Sequence, residues 1–96
     1  MGEGVRIRFH NRAVKFLAKL DEKDKERIRL KLKTLLATIE SQGIIPFKEL
    51  DIKRLDGDWK GFLRMRIARI RVILRIDKEN DVLLVYEIDH RGDVYK

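Results

Sequence analysis

Apolar and polar residues alternate along three stretches of this chain and recur at helical spacing along two others. Val5, Ile7 and Phe9 alternate with Arg6, Arg8 and His10, a period of two that predicts a short half-buried strand. Asn11 follows as a candidate N-cap, and Val14, Leu17 and Leu20 share one face of a helix running to Leu20. A second helix is predicted directly after it. Asp21 can cap it, and Glu22, Asp24 and Glu26 lie near the positive end of its dipole. Ile28, Leu32, Leu35 and Ile39 recur at helical spacing, and Gly43 suits the left-handed residue that ends a helix. The two helices read as a hairpin with one apolar side.

Residues 44–61 carry no period and are punctuated by Pro46, Gly57 and Gly61, so they read as irregular. Two strands with a tight connection follow. Leu63, Met65 and Ile67 alternate with Arg64 and Arg66; past Ala68 and Arg69, Ile70, Val72, Leu74 and Ile76 alternate with Arg71, Ile73 and Arg75. A turn at Asp77–Asp81 leads to a last strand, Val82 to Ile88. Its Val82, Leu84, Tyr86 and Ile88 are expected on one side and Leu83 and Val85 on the other, with Tyr86 in the core. Apolar residues on both sides predict a central strand. The order β-α-α-β-β-β defines an α+β fold, with the N-terminal helical hairpin on one face of a mainly antiparallel four-stranded sheet. Residues 1–96 are expected to form a single domain.

Composition narrows the chemistry. Cysteine is absent, which removes thiolate nucleophiles, disulfides and cysteine zinc sites. The two histidines, His10 and His90, cannot hold a metal alone, so neither a metal nor another cofactor is expected. No apolar run approaches a membrane span, and the start of the chain lacks a signal-peptide pattern; a cytoplasmic protein is the expectation. The net charge of +7 on so small a chain favours a polyanionic partner, although solubility alone could account for it.

The location of the charge says more than its size. Between Trp59 and Ile76 stand Lys60, Arg64, Arg66, Arg69, Arg71 and Arg75, with no carboxylate among them. The second helix is close to neutral by contrast. If Ala68-Arg69 is a two-residue turn, Ile67 pairs with Ile70 and Arg66 lies opposite Arg71, so Arg64, Arg66, Arg71 and Arg75 crowd one side of the ribbon. Like charges in that position disfavour folding by roughly 0.2–1 kcal/mol per pair, and planar guanidinium forks suit phosphate. The competing reading is an edge ribbon whose arginines deter aggregation. Ala-Arg is also a poor two-residue turn, since such turns favour Gly, Asn or Asp. Trp59 reads as a loop anchor or, in a second use, as a stacking surface for a base. The C-terminal run His90-Arg91-Gly92-Asp93-Val94-Tyr95-Lys96 could bend at Gly92 toward the same arginines, or simply fray.

The run Arg54-Leu55-Asp56-Gly57, the ribbon from Phe62 to Ile73 and the ending His90-Arg91-Gly92-x-x-Tyr95 resemble the RelE/ParE superfamily of toxins, RelE-type members most closely. The resemblance covers nearly the whole chain. It departs from the family pattern at Ala68 and Ile70, where Gly and Tyr are common, and in having arginines at 64 and 66 where some members have lysines. It implies the toxin of a type II toxin–antitoxin system, an endoribonuclease that cuts mRNA in the ribosomal A site through the RNA's own 2′-hydroxyl and so inhibits translation. Arg64, Arg66, Arg71, Arg91 and Tyr95 are then the expected catalytic residues, and Lys60, Arg69, Arg75, His90 and Lys96 the expected substrate contacts. Arg64, Arg71 and Arg91 are assigned first to the phosphate, with Arg66 assisting. Arginine stays protonated and cannot exchange protons, so proton transfer falls to Tyr95, to His90 or to the lysines at 60 and 96. The implied partners are the ribosome, its mRNA and an acidic, RelB-like antitoxin bound as a hetero-oligomer. Two alternatives stand beside this reading: a ParE-like toxin that poisons gyrase without catalysis, and a basic RNA-binding module that does not cut.

Overall fold

The computed structural model describes residues 5–90. Strand β1 (Arg6–Phe9) is followed by helices α1 (Asn11–Lys19) and α2 (Glu22–Gln42), then by β2 (Ile52–Arg54), β3 (Leu63–Ile67), β4 (Ile70–Asp77) and β5 (Val82–His90). The sheet has five strands in the order β1-β5-β4-β3-β2 rather than the four expected. The added strand, β2, has only three residues within the stretch 44–61, too short to show a period. β1 runs parallel to β5, and every other pair is antiparallel. β5 is interior, as its two apolar sides implied.

Local chemistry sets the helix ends. Asp21 caps α2 by accepting a hydrogen bond from the Asp24 backbone N–H at 2.9 Å, and Gly43 closes it at φ 68°. α1 is capped one residue earlier than expected. His10, not Asn11, takes the cap, its Nδ1 accepting the Arg12 N–H at 3.2 Å. The face α1 packs inward also differs. Ala13 is fully buried and Phe16, Leu17 and Leu20 are half-buried, whereas Val14 is 50% exposed.

A single core lies between the helices and the sheet. Ile28, Leu32 and Leu35 of α2 meet Met65 of β3, Val72 and Leu74 of β4, and Leu83 and Val85 of β5. β5 does not alternate uniformly. Leu74 pairs with Val85 but Ile73 pairs with Glu87, so Tyr86 is an extra residue, a bulge. Beyond it the alternation reverses: Leu83, Val85 and Ile88 face the helices, and Tyr86 leaves the core for the opposite side, correcting its expected place.

The β3–β4 connection is the two-residue turn that the arginine geometry requires. Ile67 pairs with Ile70 and Arg66 with Arg71. Ala68 meets the turn's demand at φ 55°, a conformation unfavourable for a residue with a Cβ. Ala68→Gly is therefore expected to stabilise the protein by up to about 1 kcal/mol, part of the relief being offset by the looser unfolded chain. A shift of the urea midpoint to higher concentration checks this.

Candidate nucleic-acid interface

The sheet face away from the helices collects the arginines. Arg66 lies directly opposite Arg71, and Arg64 lies opposite Ile73. Arg75 follows on the same side of β4, exposed to solvent. An edge-protecting role does not fit, because β3 and β4 are interior strands, covered by β2 on one side and β5 on the other.

Carboxylates from elsewhere in the chain reach this face. The Asp89 carboxylate of β5 accepts two hydrogen bonds from Arg71, from Nε at 3.1 Å and from Nη2 at 2.9 Å, in a part-buried bidentate pair. Asp51 approaches the Arg64 guanidinium at 3.5 Å, and Glu87 approaches Arg12 at 3.5 Å. The arginine cluster is thus partly neutralised, against the expectation of a site without counter-charge. Arg66 and the more exposed Arg75 make no ion pair among the described residues, and the buried Nε of Arg66 has no hydrogen-bond partner there. The ribbon considered in isolation hides these acids. A register counted evenly from Asp77 opposite Val82 would place Arg71 opposite Ile88. The bulge at Tyr86 moves Asp89 there instead.

The centre of the face is aromatic. Tyr86 lies 4.7 Å from the His10 ring, 5.5 Å from Phe62 and 5.6 Å from Trp59, centroid to centroid. Arg12 stands over Tyr86 and Arg75 over Phe62, at 5.6 and 5.7 Å. Ile73 forms a buried floor on the same side, 4% exposed and outside the main core. Trp59 anchors its loop edge-on to Phe62 and still leaves 37% of its surface exposed. The histidine on this face is His10, which strand periodicity alone does not single out. Its Nδ1 accepts a hydrogen bond, which leaves Nε2 to carry the proton of the neutral ring.

The remaining expected site residues divide. Lys60 and Arg69 are exposed in the loop before β3 and in the β3–β4 turn. His90 pairs with Ile70 and lies edge-on to Phe16 of α1, 5.1 Å between ring centroids, so it sits on the helix side and does not join the arginines. Arg91, Tyr95 and Lys96 lie outside the described residues. No group of three or more metal-ligating side chains occurs among the described residues.

This fold, two helices on one face of a five-stranded sheet, is shared with solved RelE toxins. A chain of the archaeal RelE–RelB complex from Pyrococcus horikoshii OT3 superposes with a TM-score of 0.70 at 24% identity, covering 94% of this chain and 98% of its own. The isolated Escherichia coli RelE toxin gives 0.65 at 22% identity, covering 96% and 92%. The YoeB/ParE toxin from Agrobacterium tumefaciens gives 0.65 at 15% identity, covering 90% and 98%. No curated protein sequence matches. The family model for the ParE toxin of the type II toxin–antitoxin system parDE matches residues 7–95. The chain belongs to that family, within the RelE/ParE superfamily, and is a toxin of a type II toxin–antitoxin system.

Proposed function

We propose that this toxin is a ribosome-dependent endoribonuclease that cleaves mRNA and so arrests translation. The observation that carries the reading is the Arg66–Arg71 juxtaposition. Two guanidinium groups face each other across a strand pair, one held in orientation by Asp89 and the other without a carboxylate among the described residues. A phosphodiester between them would relieve their repulsion and accept planar, charge-assisted hydrogen bonds.

In this mechanism the RNA 2′-hydroxyl attacks the adjacent phosphorus, the 5′-oxygen leaves, and a 2′,3′-cyclic phosphate forms. Arg66 and Arg71 stabilise the charge that builds on the phosphate, with Arg64 beside them; Arg91 keeps the phosphate role that the family resemblance implies for it. The arginines cannot move protons. Tyr95 is the first candidate for that task, and His10 is the histidine on the correct face. The ribosome supplies the bent mRNA geometry that the small site does not impose alone. Incubating the protein with programmed ribosomes and mapping the RNA ends tests the proposal. Cyclic-phosphate ends within the A-site codon are expected.

The ParE reading keeps one structural argument of its own: Asp89 and Asp51 neutralise much of the ribbon, as a non-catalytic binder would tolerate. Inhibition of gyrase supercoiling with intact mRNA would establish it instead.

The partner in either case is an acidic antitoxin. A groove of about 550 Å³ between α1, α2 and β1 is lined by Ile7, Phe9, Val14, Leu17 and Ile28 and rimmed by Lys25, Arg29 and Lys33. Phe9 and Val14 are 40% and 50% exposed there. An amphipathic helix with an acidic flank matches both the floor and the rim. Val14→Asp is expected to weaken binding of the co-purifying acidic protein roughly tenfold or more in calorimetric titration, because it puts a charge on the apolar floor.

A further inference from the structure

The arginines of the ribbon are not the only cations on the helix-free face. Arg6 and Arg8 of β1 pair with Val82 and Leu84 of β5, and Leu84 pairs in turn with Arg75 of β4. These three arginines are exposed and make no ion pair among the described residues. They line a groove of about 750 Å³ whose floor is Val82 and Leu84. One carboxylate, Asp77, also lines it. It is engaged by the Asn80 side chain at 2.8 Å and by the Asn80 backbone N–H at 3.2 Å, and these bonds hold it below the usual carboxylate range.

We infer that Arg6, Arg8 and Arg75 form a second phosphate-binding lobe for single-stranded RNA, separate from the Arg66–Arg71 pair. The inference rests on the RNA-directed reading above and adds to it a second grip on the same strand. The two lobes stand at opposite ends of one face. Arg71 and Arg75 are four residues apart on β4, roughly 13 Å at about 3.3 Å per residue. Between their levels on β5 lies the bulged Tyr86, in ring contact with the partly exposed Trp59, while Arg75 itself stands over Phe62. Phosphate, base and phosphate is the order in which a single strand presents its chemistry, and cation, aromatic ring and cation is the order in which this face would receive it. The exposed β1 edge also explains why the two lobes draw on distant segments: only the parallel pairing of β1 with β5 brings Arg8 into line with Arg75.

The test is binding of a short 2′-O-methyl RNA, which lacks the attacking hydroxyl, so that affinity is read without cutting. The double variant Arg6→Gln/Arg8→Gln removes two cations from exposed positions. Its affinity at low salt is expected to fall roughly tenfold or more. The slope of log affinity against log salt is expected to become shallower by about 1.4, or about 0.7 for each phosphate no longer neutralised. Lys19→Gln/Lys23→Gln, which removes the same charge from the helical hairpin, is expected to change the slope much less. Wild type that binds with both doubles indistinguishable would overturn the second lobe and leave the RNA-directed reading standing. Wild type that fails to bind this RNA would overturn the lobe, and wild type that fails to cut ribosome-bound mRNA would remove the reading on which the lobe rests. Circular dichroism of the β1 double confirms that a loss of affinity reports the lobe and not unfolding.

Discussion

Arg66→Ala is expected to slow cleavage of ribosome-bound mRNA by roughly 10²–10³-fold, the usual penalty for losing one fixed donor aimed at developing charge. Arg66 carries this prediction because Arg71 is tied to Asp89 and Arg64 approaches Asp51, while Arg66 makes no ion pair among the described residues. The structure therefore promotes a residue to which the sequence assigns only a supporting role. The loss is separable from unfolding. Removing Arg66 also removes a like charge facing Arg71, which relieves roughly 0.2–1 kcal/mol of repulsion, so stability should hold or rise. Arg66→Lys keeps the charge and loses the planar fork; intermediate activity is expected, since a point charge binds phosphate without bidentate geometry. Single-turnover rates on programmed ribosomes, read beside thermal melts, make the comparison. Undiminished cutting by Arg66→Ala would remove the phosphate clamp from the mechanism.

The largest effect on folding is expected at Leu74→Ala. Leu74 is fully buried, pairs with Leu63 on one side and Val85 on the other, and stands where β4 meets the core under the helices. Truncation leaves a cavity that neighbours on three strands cannot fill without breaking register. The cost is about 2–5 kcal/mol, against a total stability of roughly 5–15 kcal/mol for a domain of this kind. At about 4–8 °C per kcal/mol, the melting temperature should fall by roughly 8–40 °C. Leu30 provides the contrast. It lies on α2 but is 54% exposed, and Leu30→Ala should change stability by no more than about 0.5 kcal/mol. Equal melting shifts for the two variants would contradict the placement of the core.

Features set by neighbours in the chain are legible in the sequence. The Asp21 cap and the Gly43 stop depend on residues a turn away, and both are present. The Arg66–Arg71 pairing follows from a turn two residues long, and it holds despite the unfavourable Ala68. The cap of α1 falls one residue before the expected Asn11 because an imidazole can accept the same hydrogen bond. β2 leaves no mark in the sequence because it takes shape only by pairing with β3.

The sequence by itself thus determined the helices, the long strands, the two-sided ribbon and its surplus of positive charge, because each arises from periodicity or from interactions within a few residues. Tertiary structure alone decided what surrounds that charge. The bulge at Tyr86 shifts β5 by one residue, which brings Asp89 to Arg71 and Ile88 to the core, while the inward packing of Leu83 and Val85 leaves Tyr86 outside with His10, Phe62 and Trp59. The parallel pairing of β1 with β5 carries Arg6 and Arg8 onto the same face. A strand's alternation says that its two sides differ. It does not say which distant strand lies beside it, or in what register, and every countercharge and ring on this face depends on that register.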